Sequence, residues 1–247
     1  MCNVCGDTRH ERKLSRRHFV GAGAVAAIAP LLVRNVVADD GHASGTAQVP
    51  NAIAPSEALK RLMEGNARYA ANAPNQRDFS AGRAARAEAQ YPIAAILGCA
   101  DSRVAPELAF DQGLGDLFVV RVAGNIVNSD LLASLEYGVK YLGAPLIMVL
   151  GHTGCGAVDA AIKVLKNKTV LPGHLPELVS AIKPAVLDAE KTKTGDLLTN
   201  AVTENVEHQV ALLKNAQPVV KKLYTERKID IVGAVYDLRT GLITLTD

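Results

Sequence analysis

Two short clusters in this chain of 247 residues carry side chains able to bind a metal: Cys99-Ala100-Asp101-Ser102-Arg103 and His152-Thr153-Gly154-Cys155. Two thiolates and an imidazole are three of the four donors that a tetrahedral zinc takes. A fourth position left for water or substrate is the arrangement of catalytic rather than structural zinc. Cys155, at the start of an expected helix, gains further thiolate character from the helix N-terminus. Taken singly, each residue has a blander reading, since a buried Cys is usually a small hydrophobe and a lone His a satisfied polar group. H-x-x-C and C-x-D-x-R are weak patterns alone; what strengthens them is where they fall. The turn Gly151-His152-Thr153-Gly154-Cys155-Gly156 lacks both the G-x-G-x-x-G order and the Lys-Ser/Thr ending of a phosphate loop.

Positioning these residues is a task for parallel strands. Short apolar runs at Ile93 to Leu97, Leu117 to Val122, Leu146 to Leu150 and Ile229 to Val235 are bounded by turn residues, the pattern of strands buried on both faces. Cys99 follows the first run, and His152 and Cys155 follow the third. In an open α/β sheet the crevice beyond the carboxyl ends of the strands is where ligands bind. Helical patterns alternate with the runs. Ser56 is the expected cap of a helix carrying Leu59, Leu62, Met63 and Tyr69, and Ser129 the expected cap of one carrying Leu131, Leu135 and Leu142. Val158, Ile162 and Leu165 mark another helix, and Val202, Val206, Val210 and Leu213 a further one. The predicted fold is α/β: a central, mostly parallel sheet of about four strands with a C-terminal antiparallel edge strand over 242–245, flanked by helices. Residues 73–90 have weak periodicity, and the Ser56 to Gln90 arm offers little amphipathic reason to pack on its own core.

Composition is that of a packed globular protein: 49% hydrophobic and 21% charged residues exclude disordered, collagenous and disulfide-scaffold classes. The formal charge of +2 is too even for a nucleic-acid footprint. It is also local, because residues 1–38 hold six of the 27 basic and two of the 25 acidic side chains, leaving −2 in the remainder. That basic front, with Ser15-Arg16-Arg17-His18-Phe19-Val20 before the weakly polar run Gly21 to Val33, has the outline of a twin-arginine export signal over 1–38. The run is too short for a permanent membrane span. Cleavage is expected after Ala38 or Ala43, a small and polar linker spans 39–55, and the catalytic domain spans 56–247. Cys2 and Cys5 would leave with the signal, and with no second pair nearby their C-x-x-C is incidental.

The sequence from about Ser56 onward resembles the β-class carbonic anhydrases. The resemblance rests on the two clusters above and on Asp111-Gln112-Gly113-Leu114-Gly115-Asp116, Arg121-Val122-Ala123-Gly124-Asn125 and Ser134-Leu135-Glu136-Tyr137. It implies a zinc-dependent, reversible hydration of carbon dioxide to bicarbonate and a proton, by attack of a zinc-bound hydroxide. Zn²⁺ would be held by Cys99, His152 and Cys155, with an Asp101-Arg103 catalytic dyad beside it. Gln90, Phe118 and Tyr137 match residues lining the substrate pocket of the plant-like branch. The other branch carries a Trp three positions before the first Cys, where this chain has Ile96. The resemblance further implies a homodimer or higher homo-oligomer, with residues near Gln90 and the first helix crossing to the partner's pocket. Twin-arginine export would place the mature enzyme in the periplasm.

Charge sets the expected mechanism. Zinc with two thiolates and a neutral imidazole is formally neutral and acidifies bound water less than a three-His site, whose water has a pKa of about 7, so activity is expected to need mildly alkaline conditions. Asp101 would accept the proton of the bound nucleophile, and Arg103 would hold its carboxylate off the metal through a bidentate pair. Hydrolysis of CS₂ or carbonyl sulfide on the same zinc scaffold is the alternative enzyme reading. A structural zinc module would need a fourth protein ligand and no dyad.

Overall fold

The computed structural model describes residues 49–246. The expected twin-arginine signal, Cys2, Cys5 and most of the 39–55 segment lie outside them. Five strands form one sheet in the order β2-β1-β3-β4-β5: β1 Ala94–Gly98, β2 Leu117–Arg121, β3 Leu146–His152, β4 Asp230–Tyr236 and β5 Ile243–Leu245. The first four are parallel and β5 is antiparallel to β4, as the sequence pattern anticipates. Every residue of β1 and β3 is buried. Their continuous Ala, Ile, Leu, Met and Val content therefore lacks the alternation of a half-exposed strand, and both faces must be covered by helices.

The described residues form eight α-helices: α1 Pro55–Ala70, α2 Arg83–Glu88, α3 Pro106–Ala109, α4 Ser129–Lys140, α5 Gly156–Asn167, α6 Leu175–Ala189, α7 Leu197–Asn215 and α8 Val219–Thr225; α2 buries no residue, and others among them cover the sheet. On one face Leu62 of α1 and Ala109 of α3 pack with Ile96, Met148 and Ala234. On the other, Leu135 of α4, Val206 and Leu213 of α7 and Val220 of α8 pack with Leu97, Ile147 and Val149. Gly151 permits the close approach of α7, because a Cβ there would lie 2.6 Å from Val206 Cγ2. A third cluster joins α5, α6 and the start of α7 around Cys99 and Cys155 at the carboxyl ends of the strands.

The structure corrects three local expectations. Ser56 does not cap α1; Ala54 occupies the cap with no side-chain bond, and Pro55 begins the helix with its preset φ. The side chain that caps α4 belongs to Asn128, which accepts from Leu131 N–H, one residue before the expected Ser129. The arm does pack on its own core up to Ala70: Ala58 and Leu62 are fully buried. Asn66 is tied there too, donating to Ala109 O and Gly241 O and accepting from Ile243 N–H. These partners lie far off in sequence, so the helix pattern gave no sign of them. The end of the expected linker is likewise docked, with buried Asn51 donating to Pro92 O at 3.0 Å and Leu142 O at 2.7 Å.

Candidate metal centre

Strand register brings the three expected ligands together. Gly98 at the end of β1 is level with Leu150 of β3, so Cys99, one residue on, reaches the level of Gly151 and neighbours His152. Cys155 is the N-cap of α5. The Sγ atoms of Cys99 and Cys155 and a ring nitrogen of His152 all lie within 4.8 Å of one another. All three residues are buried, at 4%, 1% and 0% exposure, which excludes them as chance surface neighbours.

Three observations fit this site to zinc. The sulfurs are 4.0 Å apart and unbridged. That is far beyond a disulfide bond and close to the separation of about 3.8 Å that two zinc thiolates adopt at tetrahedral angles with Zn–S of about 2.3 Å. His152 Nδ1 lies 3.0 Å from Thr153 O. Donation to that carbonyl fixes the tautomer with a free lone pair on Nε2, the second contact that orients a ligating imidazole. Nε2 itself is buried without a hydrogen-bond partner, a costly state for a polar atom unless a ligand fills it. Without metal the thiols share a charge: the hydrogen bond from Cys155 pulls Cys99 down, and the same contact with burial pushes Cys155 up. Burial pushes His152 down, but the neighbouring Cys99 thiolate, Thr153 O and the charge of Asp101 together outweigh it and leave the net shift upward. A cation held by Cys99, His152 and Cys155 would take the place of the shared proton and satisfy all three donors.

Asp101 stands beside this cluster with Oδ2 3.8 Å from His152 Nε2. Arg103 grips it at both oxygens: its backbone N–H and Nε donate to Oδ1 at 3.0 and 2.9 Å, and Nη2 donates to Oδ2 at 2.7 Å. That pair holds the carboxyl well below the usual carboxylate range, so it is an ionised acceptor at any pH of interest. Asp101 and Arg103 are thus paired beside the cluster of Cys99, His152 and Cys155.

Arg121, whose role the sequence did not suggest, secures the loop that carries the dyad. From the end of β2 it donates through Nε to Cys99 O at 2.9 Å and through Nη2 to Asp101 O and Val104 O, each at 2.7 Å. Gly124 N–H donates to Cys99 Sγ at 3.3 Å.

Gln90, Phe118 and Tyr137 are not brought to these ligands within one chain. Phe118 is level with Ala95, four residues or about 13 Å of strand before Cys99. It packs instead beside Tyr137, with ring centroids 6.2 Å apart, and Tyr137 beside Tyr141 at 5.6 Å. Gln90 is exposed and precedes β1, at the end of the sheet opposite Cys99.

Known proteins share this fold. A family model described as carbonic anhydrase matches residues 94–243. Carbonic anhydrase 2 of Mycobacterium tuberculosis is 40% identical over 194 residues, 78% of this chain and 93% of the relative. The carbonic anhydrase of Mycolicibacterium smegmatis is 38% identical over 192 residues, 77% of this chain and 93% of its own. The solved structure of the Coccomyxa β-carbonic anhydrase in complex with acetazolamide aligns with a TM-score of 0.60 and 30% identity over 76% of this chain and 85% of that one. With its parallel sheet ending in a Cys, His and Cys cluster beside a clamped carboxylate, this chain belongs to the β-class carbonic anhydrase family of enzymes.

Proposed function

We propose that the chain reversibly hydrates carbon dioxide to bicarbonate and a proton at a zinc ion held by Cys99, His152 and Cys155. The observation that carries the ligand assignment is the buried, unpartnered His152 Nε2 facing two unbridged thiols. Zinc bound there supplies Lewis-acid activation of water. The chain's own residues do the rest. Asp101, kept ionised, accepts the hydrogen of the attacking water at Oδ2 and so aims its lone pair at the substrate carbon. Arg103 keeps that carboxylate out of the ligand position, and Arg121 holds the loop on which both sit. Purified protein loaded with zinc should hydrate CO₂ in a stopped-flow indicator assay, with one zinc per chain by elemental analysis. Cys155→Ser should lose metal and activity together; full zinc in that variant would overturn the ligand set. CS₂ and carbonyl sulfide, offered in the same assay, should turn over far more slowly than CO₂.

A homodimer completes this reading. Phe118, Tyr137 and Tyr141 stand at the β2 edge of the sheet, and Tyr137 and Tyr141 are 48% and 76% exposed. Such a patch is more apolar than a monomer needs to display. A two-fold axis beside β2 sets the strands of two copies antiparallel, so the aromatic end of one sheet meets the ligand-bearing end of the other. That brings Phe118, Tyr137 and Gln90 to the one place where they can wall a small apolar pocket. Buried Ile96, in place of a Trp, supports the plant-like branch with the metal open to water. Arg16-Arg17 and the run after them support export in the folded state, which would load the thiolates with metal before they meet an oxidising compartment. Replacing both arginines by Lys should trap zinc-loaded, active precursor in the cytoplasm, and a periplasmic enzyme in that variant would reject the route.

A further inference from the structure

Two primary amides are buried in the apolar packing of α7. Asn205 and Gln209 are each 1% exposed, on a helix whose buried face otherwise consists of Val202, Val206, Val210 and Leu213 with Ala201. Polar groups are retained at such depth only where hydrogen bonds compensate them, and the partners here lie on one turn. Asn205 Nδ2 donates to Gly124 O at 2.8 Å. Gln209 Oε1 accepts from Val127 N–H at 2.8 Å. Their i, i+4 spacing lets Gln209 Nε2 donate to Asn205 Oδ1 at 3.4 Å, so the two amides brace each other. The segment they grip begins with Gly124, whose N–H donates to Cys99 Sγ. Gly124 has a φ of +76°, and a Cβ there would lie 2.6 Å from Ile182 Cδ1. Local conformation is therefore held by glycine's freedom and by α7 together.

We propose that Asn205 and Gln209 are positioning residues for the metal centre: by pinning residues 124–127 they keep one backbone N–H on the Cys99 sulfur and so set the charge that this sulfur can donate to a metal. The proposal rests on the reading of Cys99 as a ligand. An N–H···S bond draws electron density from a thiolate and lowers the energy of its lone pairs. Outer contacts of this kind commonly alter metal affinity about 10–100-fold when removed. Neither amide is hydrogen-bonded to Cys99, His152 or Cys155 themselves; their bonds go to the turn and to each other.

Cobalt(II) substitution reads this directly, because the sulfur-to-cobalt charge-transfer band reports the energy of the sulfur lone pairs. Asn205→Leu and Gln209→Met keep side-chain shape and remove the hydrogen bonds. Both should shift the band to longer wavelength and weaken zinc binding, measured against a competing chelator, at least about tenfold. Gln209→Glu, which can still accept from Val127 N–H, should lie closer to the parent. Val210→Ala, buried on the same helix but off the turn, should lower thermal stability without moving the band. Parental band and affinity in folded Asn205→Leu and Gln209→Met would overturn the proposal, as would a band shift of equal size in Val210→Ala. Should the variants fail to fold, hydrogen exchange in the parental zinc protein still tests it: the Gly124 amide should be strongly protected, and exchange at the rate of a free loop amide would refute the contact. A parental protein that binds no cobalt would instead overturn the metal reading itself.

Discussion

Replacing Arg121 by Ala removes the three hydrogen bonds that bind the Cys99 to Val104 loop to the end of β2. The bond to Asp101 O is exposed and water can replace it, so it contributes little. The bonds to Cys99 O and Val104 O are partly buried, and at about 1–1.5 kcal/mol each their loss amounts to about 2–3 kcal/mol. This loop carries one metal ligand and both members of the dyad, so the loss falls on the order of the reactive geometry more than on the sheet. At about 1.36 kcal/mol per decade of rate, CO₂ hydration should fall roughly 30–150-fold, mostly in kcat. Zinc should stay near one per chain, since the three ligands remain. Lys at position 121 carries a single ammonium without the planar fork and should recover only part of the rate. Stopped-flow kinetics, elemental analysis and amide exchange over residues 100–104 measure the three effects. An Arg121→Ala protein with full zinc, unchanged loop exchange and a rate within about twofold of the parent would refute the reasoning.

Arg103→Ala should retain zinc yet lose most CO₂ hydration, because Asp101 is then free to turn toward the ligand position it now stands beside; hydration at the parental rate would exclude that role for the clamp. Asp111 presents the opposite case, a structural carboxylate. Its side chain is fully buried and held by Arg68 and Arg77, each about one-third exposed. Burial pushes its pKa up, but Arg68, the Asn75 N–H and Arg77 more than offset this and leave it lowered. The stability it contributes is therefore present above the ordinary carboxylate range near pH 4 and is lost as pH falls through the depressed value. Asp111→Asn tolerates the φ of 46° at this position and should cost about 2 kcal/mol after allowing for the partly solvated arginines. This corresponds to a Tm lower by about 4–8 °C, with a flatter acid limb; an unchanged Tm at pH 7 would contradict the pairing. Tyr137→Lys combined with Tyr141→Lys should convert a dimer to monomers in sedimentation and abolish hydration while zinc content holds, and an active monomer at micromolar concentration would rule out a shared pocket.

The strands and the cluster of Cys99, His152 and Cys155 could be read from the chain because both signals are local. A strand buried on both faces must be continuously apolar, and β1, β3 and β4 fall within a residue or two of their apolar runs. Each candidate ligand lies directly beyond such a run, where parallel strands leave their crevice. Helix caps were less legible, since Asn128 and Ser129 are both good caps and the choice between them is made by backbone geometry. Asn205 and Gln209 did leave a trace, two amides four residues apart inside an apolar stripe, but their partners lie more than 80 residues away.

By itself the sequence determined the fold class, the Cys99, His152 and Cys155 set and the Asp101-Arg103 pair, because hydrophobic period and donor chemistry are properties of residue order. Only the tertiary structure decided which strands stand side by side and at what level their residues meet. Gln90, Phe118 and Tyr137 were expected in one pocket with the cluster, yet parallel register sets Phe118 about 13 Å of strand before Cys99. The same register carries Arg121 across to three carbonyls of the ligand loop. Strand order and register arise from packing between segments distant in sequence, so no local pattern encodes them.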